Sequence, residues 1–279
     1  MIWQTSRFPI DLTRPQVMGI VNVTPDSFSD GGQHATTAAA QAHCEQLLAE
    51  GADILDIGGE STRPGSLMPS VDEEIARVLP VVHFAINLGV PISVDTSRPE
   101  VIAAVLDAGA DIINDVRALC WPGALECVVR HGAAGLCLMH MQGEPETMQR
   151  NPQYVDVTAE VGSFLGERVA AVLQAGVAPG RIVLDPGYGF GKSLAHNLEL
   201  FRHQAALLAL GYPLLVGWSR KGMLGQVTGR PAGERLVASV AAALAGVAHG
   251  ARIVRVHDVA ATVDALKVWQ AAGLAEPRI

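Results

Sequence analysis

Certain polar residues sit in one kind of place in this sequence: just after a short apolar, β-branched run. Asn22 follows Val17–Val21, Asp95 follows Pro91–Val94, Asn114 follows Asp111–Ile113, and Asp185 follows Arg181–Leu184. Met139 closes Gly135–Met139, Ser219 and Lys221 come soon after Pro213–Val216, and Arg255 and His257 lie at the end of Arg252–Val256. Two chemistries are present. The carboxylates and amide of Asp95, Asn114 and Asp185 suit a flat heterocycle carrying several N–H donors. The cations Arg63, Lys221, Arg255 and His257, beside Asn22, suit a phosphate or diphosphate with a divalent metal. Strand alternation puts Arg255 and His257 on one face and Val254 and Val256 on the other.

Taken singly, most of these residues have a plainer reading. Asp95 could as well cap a helix as touch a ligand, and Asp258 could cap Ala260–Gln270. Gly187–Lys192 looks like a phosphate loop but lacks the GxxxxGK[ST] spacing. His140 reads as a buried, satisfied histidine. Phe190 and Trp218 could be packing, although their glycine-rich surroundings favour stacking on a ligand. The joint pattern carries more weight, because unrelated helix caps would not also gather four cations.

Something must bring these ends together. The apolar runs, with Asp53–Ile57 as the second, number eight. Between them lie longer segments rich in Ala, Leu and Glu, such as Ala38–Glu50, Glu73–Leu88, Pro99–Ala108 and Val157–Ala175. Continuous apolar strands alternating with helices indicate a parallel sheet covered by helices. Eight such units over 279 residues predict an α/β fold of the (β/α)8 TIM-barrel kind in a single domain, residues 1–279, with 1–13 unassigned. Gly-Ala or Gly-Val pairs at 51, 89, 109, 132, 176 and 250 mark plain helix-to-strand turns. The polar residues are left to the opposite, C-terminal end of the strands, where such barrels do their chemistry.

Composition narrows the function. The net charge of −8 argues against a general nucleic-acid surface, while leaving room for a local cationic site. The longest apolar stretch, Val237–Val247, is interrupted by Ser239 and Gly246 and is too short to span a bilayer. Met1–Asp11 lacks the pattern of a signal peptide, so a cytoplasmic protein is expected. Cys44, Cys120, Cys127 and Cys137 form no CxxC pair and read as reduced structural thiols.

Two long motifs then point to a known family. Met18–Gly32 reads MGIVNVTPDSFSDGG and Asp56–Gly65 reads DIGGESTRPG. With Ser93–Thr96, Ile113–Asp115, Met139–Gly143, Asp185–Gly187, Ser219–Lys221 and Arg255–Asp258, in order, nearly the whole chain resembles the dihydropteroate synthase family. The resemblance implies condensation of a dihydropterin diphosphate with 4-aminobenzoate in folate biosynthesis, inhibition by sulfonamides, an Mg2+ requirement and a homodimer. It implies pterin contacts from Asp95, Asn114, Met139, Asp185 and Lys221. Arg255 would lie over the pterin and help Thr62, Arg63 and His257 hold the diphosphate, and Asn22 would ligate the metal. Thr62, Pro64, Phe190, Ser219 and Lys221 would surround 4-aminobenzoate, and Asp95, Asp185, Lys221, Arg255 and His257 would form the catalytic set. Loops Thr24–Gln33 and Ser61–Ser70 would order over ligand. Trp218 and Gly222 depart from the commonest family pattern. The rivals are a pterin-dependent methyltransferase and a catalytically silent pterin binder. The retained Asp26, Arg63, Lys221, Arg255 and His257 count against the silent form.

Overall fold

The computed structural model describes residues 1–24, 32–61 and 68–274. Two short strands, β1 (Ile2–Gln4) and β2 (Pro9–Asp11), precede eight that coincide with the apolar runs. These are β3 (Gln16–Asn22), β4 (Ile54–Gly58), β5 (Ile92–Asp95), β6 (Ile112–Asp115), β7 (Gly135–Met139), β8 (Ile182–Asp185), β9 (Leu214–Val216) and β10 (Ala251–Val256). They pair in parallel, in sequence order, and β10 returns to β3 to close a barrel. The expected (β/α)8 architecture is therefore present.

Helices cover the outside: α1 (Gly32–Ala49), α2 (Val71–Ala85), α3 (Pro99–Asp107), α4 (Ala124–His131), α5 (Val157–Gln174), α6 (Leu194–Arg202), α7 (Gly222–Thr228), α8 (Leu236–Ala248) and α9 (Val259–Ala271). Local chemistry sets their starts. Ser70 and Glu73 form a capping box on α2, the Asp156 carboxylate accepts from Ala159 N on α5, and Pro99 opens α3. The six junction glycines all take positive φ, from 78° to 101°, as the helix ends require.

Several strands begin one residue later than the apolar run, because the leading polar residue has another task. Asp53 Oδ2 accepts from Val17 N at 2.8 Å, and Asp111 Oδ2 accepts from Ile92 N at 2.9 Å. Both carboxylates thus tie neighbouring strands at the N-terminal end of the barrel.

The first thirteen residues, unassigned from sequence, plug that same end. The β1–β2 hairpin buries Trp3 completely, and its indole N–H donates to Arg181 O at 2.9 Å. Trp3, Ile10 and Leu12 pack against Met18, Ile54, Ile112, Cys137, Val183, Leu215 and Ile253 inside the barrel. Arg7 secures the hairpin with two bonds to Asp111, at 2.9 and 2.6 Å. Trp3→Ala should cost about 3–5 kcal/mol, as for other buried aromatic truncations. Because Trp3 lies at the end remote from the site, turnover by the folded variant should stay within about twofold. Urea unfolding with parallel activity assays checks both, and an unchanged midpoint would show the hairpin to be dispensable.

Candidate active site

Alternation sends every second strand residue into the barrel. Ile54, Ile112, Val183 and Ile253 belong to the sealed apolar plug. Two residues further along the same strands stand Asp56, Asn114, Asp185 and Arg255. The apolar floor is thus followed directly by a polar layer, on the side where the strands end.

Arg255 organises that layer. Its Nε donates to Asp56 Oδ2 at 2.6 Å, and its Nη2 donates to Asp95 Oδ2 at 2.9 Å. Asn114 Nδ2 donates to the same Asp56 oxygen at 3.1 Å. Burial opposes the Arg255 charge, but Asp56 and Asp95 outweigh it and hold its pKa above the ordinary value. Burial pushes Asp95 up, against the pull of Arg255. The guanidinium keeps its Nη1 for a ligand, and its plane is set by two carboxylates on different strands.

Sequence reasoning missed Asp56. It was visible only as the acid within an otherwise apolar strand, and a wholly buried charge there needs a partner. Its Oδ1, and the hydroxyl of its register partner Ser93, are buried with no hydrogen-bond partner among the described residues. Sequence also gave no sign of the group behind β5 and β6. There Arg117 bonds Ser97 at 3.1 Å and pairs with Glu60 at 3.4 Å and Glu144 at 3.0 Å. The Arg117 charge thereby joins the root of the loop after β4 to the segment after β7.

Asp185 has two tasks. Its Oδ1 accepts from Gly187 N at 2.7 Å, the capping role, and Oδ2 is left for a ligand. Burial raises its pKa, with Lys221 and Arg255 opposing. Met139 is its register partner on β7 and is buried. Lys221 donates to Tyr188 O and lies 4.6 Å from the centre of the Phe190 ring. Burial pushes the Lys221 ammonium down to about 8. Ser219 Oγ lies 3.0 Å from His257 Nδ1 and accepts from His257 N at 3.1 Å, so the ends of β9 and β10 are joined.

The structure thus gathers Asp95, Asn114, Met139, Asp185, Lys221 and Arg255 at the mouth, with Phe190, Ser219 and His257 on its rim. Asn22 ends β3, beside Gly58, whose neighbour in β5 is Asp95. Thr62, Arg63 and Pro64 lie outside the described residues, as do most of the residues expected to form the ordering loops. Other readings are corrected. Trp218 does not face a ligand: it is buried and stacks with Tyr188 and Phe201, at centroid distances of 4.4 and 4.3 Å. Asp258 stands at the N-cap of α9 but makes no side-chain cap bond, and pairs with Arg220 instead. His140 is a satisfied core histidine, as expected.

With this geometry in place, known proteins can be compared. The pterin binding enzyme family matches residues 18–257. A dihydropteroate synthase of Neisseria meningitidis serogroup B is 57% identical over 279 residues, covering 98% of each chain.

The chain belongs to the pterin-binding enzyme family, among its dihydropteroate synthases.

Solved dihydropteroate synthases agree. The Xanthomonas albilineans enzyme with 4-aminobenzoic acid superposes with a TM-score of 0.92 at 50% identity, covering 99% of this chain and 100% of that one. The same enzyme in complex with 7,8-dihydropteroate gives 0.90 at 48% identity, over 99% and 100% of the two chains. Of the two departures, Trp218 belongs to the aromatic cluster with Tyr188 and Phe201 behind the loop after β9. At Gly222, a Cβ would meet nothing within 4 Å, so the glycine is not required there for lack of space.

Proposed function

We propose that the protein condenses (7,8-dihydropterin-6-yl)methyl diphosphate with 4-aminobenzoate, giving 7,8-dihydropteroate and diphosphate. The observation that carries this reading is the Arg255 guanidinium held between Asp56 and Asp95 above an apolar floor, with Asn114, Asp185 and Lys221 beside it. Such a site offers acceptors to the N–H edge of a pterin and cations to a departing diphosphate in the same cavity.

In this reading Asp185 Oδ2 accepts from the N–H groups of the pterin edge, the Asn114 amide hydrogen-bonds the same edge, Lys221 leaves Tyr188 O to donate to the ring carbonyl, and Met139 packs nearby. Arg255 covers the pterin and, with Arg63, Thr62 and His257, takes up charge growing on the diphosphate as the methylene C–O bond breaks. The electron-rich pterin and the nearby Asp95 carboxylate stabilise the cation left behind. The 4-aminobenzoate amine, bounded by Thr62, Pro64, Phe190, Ser219 and Lys221, forms the C–N bond and then loses a proton. No side-chain nucleophile is required. Mg2+ keeps several waters and binds through few protein oxygens plus substrate phosphates, so Asn22 at the end of β3 would offer it one amide oxygen beside the diphosphate. Magnesium, when bound with the diphosphate, would supply further neutralisation of leaving-group charge.

A homodimer is supported by the apolar residues that α7 and the start of α8 leave in solvent: Val227, Leu236 and Val237, the last 80% exposed. A cytoplasmic location is supported by four free cysteines. Among the described residues no helix is long and apolar enough to cross a membrane. The deciding experiment is a turnover assay with both substrates and Mg2+, following released diphosphate. Release should require the aromatic amine and match dihydropteroate formed. Pterin binding without diphosphate release would reduce the protein to a silent binder.

A further inference from the structure

The Gly187–Lys192 segment resembled a phosphate loop, yet its lysine points away from any ligand. Lys192 is 2% exposed. Its Nζ lies 2.9 Å from His140 Nδ1 and from Gly187 O, 3.1 Å from Phe190 O and 3.4 Å from His140 O. An ammonium has three protons and no lone pair, so in that charge state it is the donor to all four acceptors. They belong to two segments, the exit of β7 and the loop after β8. A buried amine thus sits where the two meet, its pKa pushed down to about 7 by burial against the pull of Asp185.

The loop around it has little freedom. Its five successive carbonyls each accept from a side chain: Gly187 and Phe190 from Lys192, Tyr188 from Lys221, Gly189 from Gln149, and Gly191 from Tyr154. Gly187 and Gly191 have φ of 68° and 60°, and a Cβ on either would come within 1.9 Å of His140 O or 2.2 Å of Gln142 O. The backbone is pressed onto the segment after β7, and the two lysines hold three of the five carbonyls. Lys192 holds the Gly187 and Phe190 carbonyls; Lys221 holds the Tyr188 carbonyl between them and rests against the Phe190 ring.

We propose that Lys192 is a positioning residue for the aromatic-acid side of the site: its buried Nζ fixes the 187–191 loop, and with it the Phe190 ring. With Lys192 protonated, the same contact makes His140 Nδ1 an acceptor and leaves the ring proton on Nε2. This rests on the assignment of Phe190 to the 4-aminobenzoate site made above. Lys192 itself touches neither substrate.

The test uses the full-length enzyme with Mg2+ and both substrates. Lys192→Met keeps most of the unbranched apolar stem, one atom shorter, and removes the donors. It should raise the KM for 4-aminobenzoate by about tenfold or more, since displacement of about 1 Å can cost up to about 100-fold. Calorimetric affinity for the pterin diphosphate should change less than about threefold. Equal losses for both substrates, tracking a fall in melting temperature, would mean Lys192 is only a stability element and would overturn the proposal. Phe190→Ala separates the two layers. If it leaves the 4-aminobenzoate KM unchanged, the site assignment fails and the proposal with it. If it raises that KM while Lys192→Met does not, the proposal alone fails. Should Lys192→Met not fold, 15N NMR of His140 in the wild-type enzyme decides. A neutral ring protonated at Nε2 is expected near neutral pH, and a proton on Nδ1 would refute the contact.

Discussion

Arg255→Ala is expected to lower kcat/KM by about 10- to 1000-fold, in line with the loss of other preorganised charge contacts. From sequence alone, little effect on folding would be expected, because the side chain faces the mouth. The structure changes that expectation. Arg255 is the shared partner of Asp56, which is wholly buried, and of Asp95. Removing the cation leaves two carboxylates without it, which costs about 3–5 kcal/mol in comparable buried pairs. The deficit should depend on pH. Burial already raises Asp95 above its ordinary range, and loss of Arg255 raises it further. A carboxylate with a raised folded pKa is stabilising below its unfolded pKa, and that contribution is lost as pH rises through the folded pKa. The melting-temperature gap between variant and wild type should therefore be small near about pH 4 and large near about pH 8. Adding Asp56→Asn to Arg255→Ala should recover stability without recovering turnover. His257→Ala supplies the contrast, with turnover lost by about 10-fold or more and the fold little changed. A pH-independent gap for Arg255→Ala would remove the carboxylate pairing from the explanation.

What the sequence revealed, and what it hid, follows from the range of the interactions. The barrel was legible because apolar runs and glycine junctions are local signals, and eight of them in order leave few topologies. The mouth residues were legible because strand ends converge once the barrel closes. Asp56 was hidden. It looks like one more strand residue, and only closure brings Asn114, 58 residues away, and Arg255, 199 residues away, to the same oxygen. Lys192 was visible but misleading, since a Gly-rich stretch ending in Lys resembles an anion loop whichever way the amine turns. Trp218 misled for a similar reason. Its strand-end setting suggested stacking on a ligand, but Tyr188 and Phe201 provide the stack from within the core. The N-terminal hairpin carried no motif, because filling the end of a barrel requires only apolar bulk such as Trp3, Ile10 and Leu12.

Asp185→Asn is expected to weaken pterin diphosphate binding by at least about 30-fold, while ligand-free stability changes by less than about 1 kcal/mol. A pterin presents a ring N–H and an exocyclic amino group side by side, and a carboxylate accepts from both in parallel, as it does from Arg. Asn keeps one acceptor and replaces the other with a donor. The structure shows which oxygen matters. Oδ1 is committed to Gly187 N, a bond that an Asn oxygen reproduces, so the turn survives. The new amide must then occupy the Oδ2 position, donor facing donor, at a cost of roughly 2–5 kcal/mol in a dry pocket. The pH dependence separates binding from folding. Burial raises the Asp185 pKa, so its favourable contribution is present at acid pH and lost as pH rises through the folded value. Asn does not titrate. Relative to wild type, the ligand-free variant should therefore gain stability as pH rises through that window, even as it binds pterin worse. Calorimetry of pterin binding, set beside thermal unfolding across pH, measures both. Unchanged pterin affinity would take Asp185 out of the site. A fall in ligand-free stability at alkaline pH would mean that the carboxylate is stabilised by its surroundings rather than strained by burial.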